Sequence, residues 1–523
     1  MNLHRIILPL VVIAFINCAT PVVIEAQFIE QGPKLVGTGA VNVPIPVGLG
    51  ASVSLSADGN TAIVGGPDDS SASGAVWIFI RTDGVWNQQG PKLVGSGAVT
   101  IGGYLVSQGS SVSLSADGNT AIVGGPGDTL NAGATWVFTR TGGVWSQQGS
   151  KLVGIDAVGH LSGGASQGGS VSLSADGNTA LIGGRDDNIG VGAVWVFTRT
   201  GSAWSQQGPK LVGSGAIGMS VQGISVSLAA DGNTAIVGGS RDSSGTGAAW
   251  VYTRTNGAWN QQGSKLVGSG VVGLGAHQGT SVSLSADGNT AIVGGPLDSS
   301  GTGAAWVFTR TNNIWSQQGP KLVGTGWVWF SRQGSSVSLS ADGNTALIGG
   351  PNDNVGAGAV WIFTRTNGDW SQQGNKLVGS GASTIGNNVY QGSSVSLSAD
   401  GNTAIVGGPN DSSGAGAVWV FVSTTASVTE AERSLPGDFA LAQNYPNPFN
   451  PTTTIRYALP SRSHVTLTVF NTLGQQVATM VNETQGAGYH EVKFDGSGLA
   501  SGVYFYRLKA GEYVATKRLL VVR

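Results

Sequence analysis

The phrase SVSLSADGNTAIVGGP returns seven times with few changes along this chain of 523 residues. Successive copies lie 59, 59, 55, 56, 55 and 58 residues apart. A period of this kind is typical of repeat proteins, in which each copy is one unit that buries its apolar surface against its neighbours. One aspartate per copy marks the register: Asp58, Asp117, Asp176, Asp231, Asp287, Asp342 and Asp400. The fold class therefore depends on what one copy forms and on how the copies are joined.

Each copy divides into four segments that have the pattern of short β-strands. In the first copy, Ser52–Ala57 alternates serine with apolar residues, and Asp58-Gly59-Asn60 is a tight-turn sequence. The next segments are Thr61–Gly66, Ala75–Thr82 and, after Trp86, the sequence QQGPKLVG. Four antiparallel strands form one propeller blade, and a propeller repeats four to eight such blades about a central axis. We therefore predict an all-β fold with a seven-bladed β-propeller at residues 27–422.

The two ends of the repeat region indicate a closed ring. The seventh copy stops after its third strand, Ala417–Val422, and has no fourth segment. The missing segment stands at the other end of the chain, where Phe28–Gly37 reads FIEQGPKLVG. A closed ring explains this arrangement, because an N-terminal strand that completes the last blade removes an exposed sheet edge. An open solenoid gives no reason for it.

The tryptophans follow the same register and are expected to pack between blades. Seven lie in the third strands, at Trp77, Trp136, Trp195, Trp250, Trp306, Trp361 and Trp419. Six precede the fourth segments, at Trp86, Trp145, Trp204, Trp259, Trp315 and Trp370. Side chains of this size bury about 150–250 Å² each, so repeated positions indicate core. Trp327 and Trp329 alone fall outside the register.

Charge and composition exclude several classes of protein. Charged residues make up only 10% of the chain, and 26 basic side chains face 28 acidic ones, for a net charge of −2. This balance gives no support for binding to nucleic acid. The sequence also lacks an apolar stretch of 18 residues, so we expect no transmembrane helix. We expect the mature protein to be a monomer.

Residues 1–26 have the pattern of a secretory signal peptide. A basic start at Arg5 precedes the apolar run Ile6–Ile16, and Ala26 offers a cleavage point before Gln27. Cys18 is the only cysteine of the chain, so the mature protein would have no disulfide. A lipoprotein anchored through Cys18 is the alternative, although Asn17 stands where a small residue is expected.

The repeat QGSSVSLSADGNTAIVGGP followed by GAGAVWVF resembles the FG-GAP repeats of integrin α-chains and many bacterial surface proteins. The resemblance covers residues 28–422 and implies the same propeller. The Phe-Gly pair of that family is mostly Gln-Gly here, as at Gln108-Gly109 and Gln391-Gly392. The acidic calcium loop of many members is also missing, and one carboxylate per turn is few for a six- to eight-oxygen site. We therefore predict no cofactor, and interpret the turn aspartates as hairpin residues.

The last part of the chain has a different composition. Residues 423–438 are polar and predict a linker, and residues 439–523 hold about seven strand-like segments, which suggests a small immunoglobulin-like β-sandwich. This tail resembles the C-terminal sorting domain of type IX secretion, of type A. The matching segments are Asn444–Pro451, Val469–Gly474, Gly502–Tyr506 and Lys517–Val522. The resemblance implies export across the outer membrane by the type IX machinery, removal of the tail, and attachment to the bacterial surface or release. A permanent adhesive domain is the alternative.

One face of the propeller varies from copy to copy. In a four-stranded meander the loops between strands 2 and 3 (the 2–3 loops) share a face with the loops between blades (the 4–1 loops). We call this the variable face, because its 4–1 loops differ strongly while the DGNT turns of the opposite face barely change. Copies with the same packing demands that diverge on one face indicate a surface free for recognition.

The variable face also carries one aspartate per copy. These residues are Asp69, Asp128, Asp187, Asp242, Asp298, Asp353 and Asp411. A ring of carboxylates would suit a cation or a basic partner. The alternative, which we favour, is that each aspartate caps the Ser/Gly loop that follows it.

Aromatic residues in the 4–1 loops are the candidate ligand-binding residues. The segment GWVWFSR places Trp327, Trp329, Phe330 and Arg332 where other copies carry small residues. Tyr104 and Tyr390 stand in the equivalent loops of other blades. Such residues are favoured at interfaces. The alternative is that these rings plug the central channel or pack on a neighbouring loop.

Catalysis finds little support in the sequence. The propeller has a single glutamate, Glu30, and no marked pair of carboxylates of the kind that a glycosidase needs. His160 and His277 have no partner pattern, and no phosphate loop or nucleophile elbow is present. We therefore predict a secreted or surface-bound adhesion protein, not an enzyme, that binds a protein or glycan. A polysaccharide-acting enzyme and a structural surface-layer protein without a discrete ligand are the alternatives.

Overall fold

The computed structural model describes residues 27–41, 45–100, 105–159, 163–383, 388–424, 438–444, 446–486 and 488–522. The predicted signal peptide and most of the predicted linker lie outside these residues. Contacts divide the chain into two compact units that meet between positions 425 and 426. None of the helices among the described residues is long and apolar enough to cross a membrane.

The first unit is a β-propeller with seven four-stranded antiparallel blades, as predicted. Strand β1 is Gln27–Glu30. Blades 1 to 3 are β2 Ser52–Leu55, β3 Thr61–Gly66, β4 Ala75–Thr82 and β5 Val85–Gln88; β6 Ser111–Leu114, β7 Thr120–Gly125, β8 Ala134–Thr141 and β9 Val144–Gln147; β10 Ser170–Leu173, β11 Thr179–Gly184, β12 Ala193–Thr200 and β13 Ala203–Gln206.

Blades 4 to 6 repeat the same four strands. They are β14 Ser225–Leu228, β15 Thr234–Gly239, β16 Ala248–Thr255 and β17 Ala258–Gln261; β18 Ser281–Leu284, β19 Thr290–Gly295, β20 Ala304–Thr311 and β21 Ile314–Gln317; β22 Ser336–Leu339, β23 Thr345–Gly350, β24 Ala359–Thr366 and β25 Asp369–Gln372. Blade 7 holds β26 Ser394–Leu397, β27 Thr403–Gly408 and β28 Ala417–Thr424.

The N-terminal strand completes blade 7, which confirms the predicted closure. Strand β1 pairs antiparallel with β28, with Phe28 opposite Ser423. A ring of main-chain hydrogen bonds between turns of adjacent blades also closes on itself. Ala57 donates to Ala116, each turn donates in this way to the next, and Ala399 donates back to Ala57, at 2.9–3.0 Å throughout. Blade 7 is therefore bonded to blade 1 as every other blade is to its neighbour.

The position of the fourth strand corrects the prediction from sequence. In blade 1 it is Val85–Gln88, which includes Trp86, and not the QQGPKLVG segment that follows. That segment forms a loop and returns to the blade at one bridge, between Leu93 and Val76. The turn sequence Asp83-Gly84 starts the fourth strand immediately, because a two-residue hairpin leaves no room for a longer connection.

The third-strand tryptophans are the largest buried side chains of the propeller, as predicted from their register. Trp77 packs in a slot formed by Gly66 of its own blade and Gly37 of the segment that follows β1. A Cβ atom on either glycine would lie 2.5–2.8 Å from the indole ring. The indole nitrogen donates to the Thr38 carbonyl at 2.9 Å. Since the N-terminal segment belongs to blade 7, this tryptophan joins the first blade to the last.

The second unit contains two antiparallel sheets around one apolar core. Its strands are β29 Ala440–Leu441, β30 Thr452–Leu459, β31 Ser463–Phe470, β32 Gln476–Gln485, β33 Gly488–Asp495, β34 Gly502–Ala510 and β35 Tyr513–Val521. One sheet has the order β29-β30-β33 and the other β32-β31-β34-β35. This arrangement confirms the predicted sandwich.

Candidate functional site

Each 2–3 loop begins with a four-residue helical turn that has an unusual backbone. The turns are α1 Asp69–Ala72, α2 Asp128–Asn131, α3 Asp187–Gly190, α4 Asp242–Gly245, α5 Asp298–Gly301, α6 Asp353–Gly356 and α7 Asp411–Gly414. In every turn the two residues after the aspartate have positive φ, including the β-branched Ile189 and Val355. Left-handed backbone is unfavourable for such residues, so neighbouring contacts must hold these turns in place.

The aspartate ring supplies those contacts through seven buried ion pairs. Each carboxylate is at most 1% exposed and meets the lysine of the PKLVG-type segment. The pairs are Asp69–Lys92, Asp128–Lys151, Asp187–Lys210, Asp242–Lys265, Asp298–Lys321, Asp353–Lys376 and Asp411–Lys34. The last pair again joins the N-terminal segment to blade 7.

The same carboxylates fix the 4–1 loops. One oxygen of each aspartate accepts a main-chain hydrogen bond from a 4–1 loop at 2.7–2.8 Å, as Val328 donates to Asp353. The other oxygen accepts from the lysine and, in five blades, from the hydroxyl of the next residue. The aspartates therefore join three elements, namely the helical turn, the lysine segment and the 4–1 loop, and the contact with the following residue is a hydroxyl bond in five blades. This geometry gives a cation ring no support, because both oxygens already have cationic or N–H partners.

The opposite face is built from a second repeated network. Asp58 accepts from the Ser56 hydroxyl and from the main chain and side chain of Asn60. Burial raises the pKa of Asp58, but these hydrogen bonds outweigh it and leave the pKa below its ordinary value. Beside the turn, Arg81 stacks on Trp86 with 5.5 Å between guanidinium carbon and ring centroid. Both donate to the Gln31 side chain. The contacts of these groups therefore stabilise the blades.

The aromatic residues predicted from the sequence lie on the surface of the variable face. Trp327, Trp329 and Phe330 are 43%, 68% and 60% exposed. Trp329 has a φ of 53°. Arg332 is also exposed, and Tyr390 is half-buried. Tyr104 lies outside the described residues.

Arg332 and Tyr390 belong to one structural position that recurs in every blade. This position precedes the first strand, has positive φ throughout, and carries seven residues of six types: Gly48, Ser107, Ser166, Val221, His277, Arg332 and Tyr390. In six blades the next residue is a buried glutamine, which bonds both main-chain groups of a glycine, as Gln108 does with Gly95. A constant backbone thus presents a side chain that varies among the blades, with only serine occurring twice. These bonds explain why glutamine recurs after this position.

Several residues at this position line a group of adjoining clefts over blades 2 to 6. Arg241 lines three of them, with volumes of about 310, 390 and 410 Å³. His277 lines two of these clefts, and Arg185 and Arg332 border the cleft of about 390 Å³. Burial and the charge of Arg241 hold the pKa of His277 below its ordinary value. The cleft cations at neutral pH are therefore the three arginines.

Sequence reasoning missed Arg185, Arg241 and the role of His277. The usable signal was the register itself. Where Arg241 stands, the other copies have Asp68, Gly127, Asp186, Leu297, Asn352 and Asn410. Arg241 interrupts a repeated position just as Trp327 and Trp329 do, and that interruption is the sequence signal for the cleft.

The tail carries a motif whose residues hold the segment after β29 to the last two strands, β34 and β35. The main-chain N–H of Asn444 donates to the Tyr506 hydroxyl at 2.8 Å, and Tyr506 donates to the Ala442 carbonyl at 2.7 Å. Asn447 accepts from the Leu520 amide at 2.8 Å. Residues 443–522 match the family described as secretion system C-terminal sorting domain. The chain carries a type IX sorting domain. This tail implies export by type IX secretion, to the cell surface or beyond it. The resemblance of the propeller to FG-GAP repeats stays a prediction.

Comparisons of the whole chain add no assignment. None of the curated proteins matches it. Among solved structures, it is similar to PorZ, described as an essential bacterial surface component of the type IX secretion system of Porphyromonas gingivalis. The identity is 12% and the TM-score 0.41, over 90% of this chain and 59% of PorZ. This chain thus spans less than two thirds of PorZ. A putative TolB from Agrobacterium tumefaciens gives 10% identity and a TM-score of 0.30, over 57% of this chain and 89% of that one.

Proposed function

We propose that this protein is an exported binding module that recognises an extracellular protein or glycan through the variable face of its propeller. The observation that carries the proposal is the contrast between the two faces. Buried ion pairs and left-handed turns hold the loops of the variable face in one shape, while their outward side chains differ from blade to blade. Rigid loops with divergent side chains are the arrangement that binding surfaces on other scaffolds use.

The exposed aromatic residues support the same face as the binding surface. Trp327, Trp329 and Phe330 lie together in one 4–1 loop and expose between 43% and 68% of their surface. The thirteen tryptophans in the repeated positions are buried or half-buried. Large rings held in water by a fixed loop are favourable contact points for a sugar face or a peptide.

The sorting domain supports a location where such a face would meet its partner. A tail that directs a protein across the outer membrane delivers the propeller to the cell surface or the medium. A propeller delivered there is placed to attach the cell to a partner or to capture one.

The test is a binding screen of the full chain on glycan and protein arrays, followed by a double substitution, Trp327→Ala with Trp329→Ala. We expect binding to at least one array ligand and its loss in the double variant, with an unchanged melting temperature. Ile314→Ala is the matched control, because Ile314 is 72% exposed but follows a turn on the opposite face. A ligand that binds the double variant and the Ile314→Ala variant equally well would contradict a role of the tryptophan loop in binding. A loss of roughly 3–5 kcal/mol in the free energy of unfolding, the cost of truncating a buried tryptophan, would show that the rings are core.

A further inference from the structure

Most basic residues of the propeller have a partner in its repeated framework, and a few do not. Residues 27–422 contain seven lysines and nine arginines. All seven lysines pair with the buried aspartate ring. Six arginines stack on the tryptophans of the fourth strands. The three that remain are Arg185, Arg241 and Arg332.

All three remaining arginines border the same cleft, of about 390 Å³, on the variable face. They come from blades 3 and 4 and from the loop that leads into blade 6. Arg241 also lines both neighbouring clefts, so the three clefts adjoin one another around its side chain.

The guanidinium groups at the centre of this region are uncommitted. Within the described residues, neither Arg241 nor Arg332 makes a side-chain hydrogen bond or an ion pair, whereas each stacked arginine is held by an asparagine and a glutamine, as Arg81 is. Arg185 has only a long contact of 3.7 Å with Asp186, which is the one acidic residue that lines the cleft. The cleft thus combines cavities, excess positive charge and free donors.

Hydroxyl groups line the cleft beside the arginines, and exposed indole rings lie in the loop that carries one of them. Ser240 and Thr280 line the same cleft as Arg332. The exposed Trp327 and Trp329 lie in the loop that carries Arg332. Guanidinium groups bind carboxylates through paired hydrogen bonds, hydroxyls bind sugar hydroxyls, and exposed rings stack on sugar faces.

We propose that the arginine cleft binds the carboxylate groups of an acidic, uronate-containing polysaccharide. The proposal rests on the proposed function, since it names the ligand class for the same face. Carboxylates along the polymer would meet Arg241 and its two neighbours, and the adjoining sugar rings would reach the tryptophan loop. An acidic peptide shares the charge but has no sugar ring whose C–H face could stack on the exposed indoles, and it serves as the competing ligand in the test.

The experiment titrates the full chain with polygalacturonate and with alginate, and measures affinity by calorimetry. Fully methyl-esterified polygalacturonate is the uncharged control polymer, poly-glutamate is the acidic-peptide control, and inorganic sulfate is the free-anion control. The variants are Arg241→Gln and Arg332→Gln. Arg462→Gln is the matched control, because Arg462 is an exposed cation of the tail unit. Melting temperatures are recorded for every variant.

We expect at least one polyuronate to bind, and the esterified polymer and poly-glutamate to bind at least tenfold more weakly. Each cleft substitution should weaken binding roughly ten- to a hundredfold, the effect of losing a hydrogen bond to a charged group, and the Arg462 control should not. Four results would overturn the inference. The esterified and free polymers could bind equally well, poly-glutamate could bind more tightly than the polyuronates, or neither polyuronate could bind. Alternatively, sulfate at a concentration equal to that of the polymer carboxylates could displace the polymer completely. If another ligand is lost only with Trp327 and Trp329, the inference fails while the proposed function stands; if no ligand depends on this face, both fail.

Discussion

The pair formed by Lys34 and Asp411 offers a point test of ring closure. The two residues are 377 positions apart, and the Lys34 ammonium lies 2.5 Å from the Asp411 carboxylate. The carboxylate is fully buried, and 21% of the lysine side chain is exposed. Lys34→Met keeps most of the aliphatic volume but leaves the buried charge with only its hydrogen bonds to Ser383 and Ser412.

Removing one partner of a buried pair costs about 3–5 kcal/mol, and the partial exposure of Lys34 places this case near the lower end, at about 3 kcal/mol. The unfolding entropy is about 2.1 cal/mol/K per residue, so in a domain of about 400 residues the melting temperature should fall by roughly 3–4 °C. Differential scanning calorimetry and denaturant titration of the full chain measure both quantities.

Lys265→Met is the matched control, because Lys265 and Asp242 form the same pair inside blade 4 at 2.6 Å. The two variants should lose similar stability, and a cycle of Lys34→Met with Asp411→Asn should show coupling above about 1 kcal/mol. An unchanged Lys34→Met beside a destabilised Lys265→Met would refute closure by the N-terminal segment. Two unchanged variants would refute the assigned energy of the buried pairs.

Three further predictions follow from the framework and the tail. Removing residues 439–523 should leave a folded propeller on the periplasmic side of the outer membrane. Truncated protein found at the cell surface by fractionation would contradict the sorting role of the tail. Gly125→Ala should destabilise the propeller by about 1–3 kcal/mol in denaturant titration, because the new Cβ would lie 2.7 Å from the Trp136 ring, and an unchanged midpoint would show that this slot is loose. The lowered carboxyl pKa values of the DGNT turns stabilise the fold above the unfolded value near 4, so stability should fall as the pH drops below about 4 through the folded values. Ser56→Ala removes one hydrogen bond to the Asp58 carboxylate and should make the loss of stability on acidification smaller. An acid unfolding curve that is identical in the variant would contradict this assignment. The turns concerned are those of Asp58, Asp117, Asp176, Asp287, Asp342 and Asp400.

The repeat predicted the architecture because each copy faces the same packing problem. The phase of Trp77 and its copies indicated the core, and the misplaced Phe28–Gly37 segment indicated the closed ring. The fourth strand was misplaced because QQGPKLVG has strand-like composition, while the two-residue turn before Trp86 begins pairing earlier. Local pattern alone does not decide between adjacent segments.

The candidate site was harder to predict because its chemistry depends on contacts between separate segments. Asp69 pairs with Lys92 only because the fold brings the two segments together, and nothing in the sequence around either residue indicates the other as its partner. A capping role is therefore the simpler interpretation from the sequence. Arg241 and His277 line one cleft although 36 residues separate them. The aromatic loop was visible from the sequence because it breaks a repeat, and the arginines break the same repeat less conspicuously.

Hydrogen exchange of the full chain, with and without oligogalacturonate, tests most directly whether the variable face is the binding surface. The account predicts protection at residues 217–219, 241–245, 277–280 and 326–332, and none at the DGNT turns of the opposite face. Protection confined to the DGNT turns, or to the tail unit, would contradict the account.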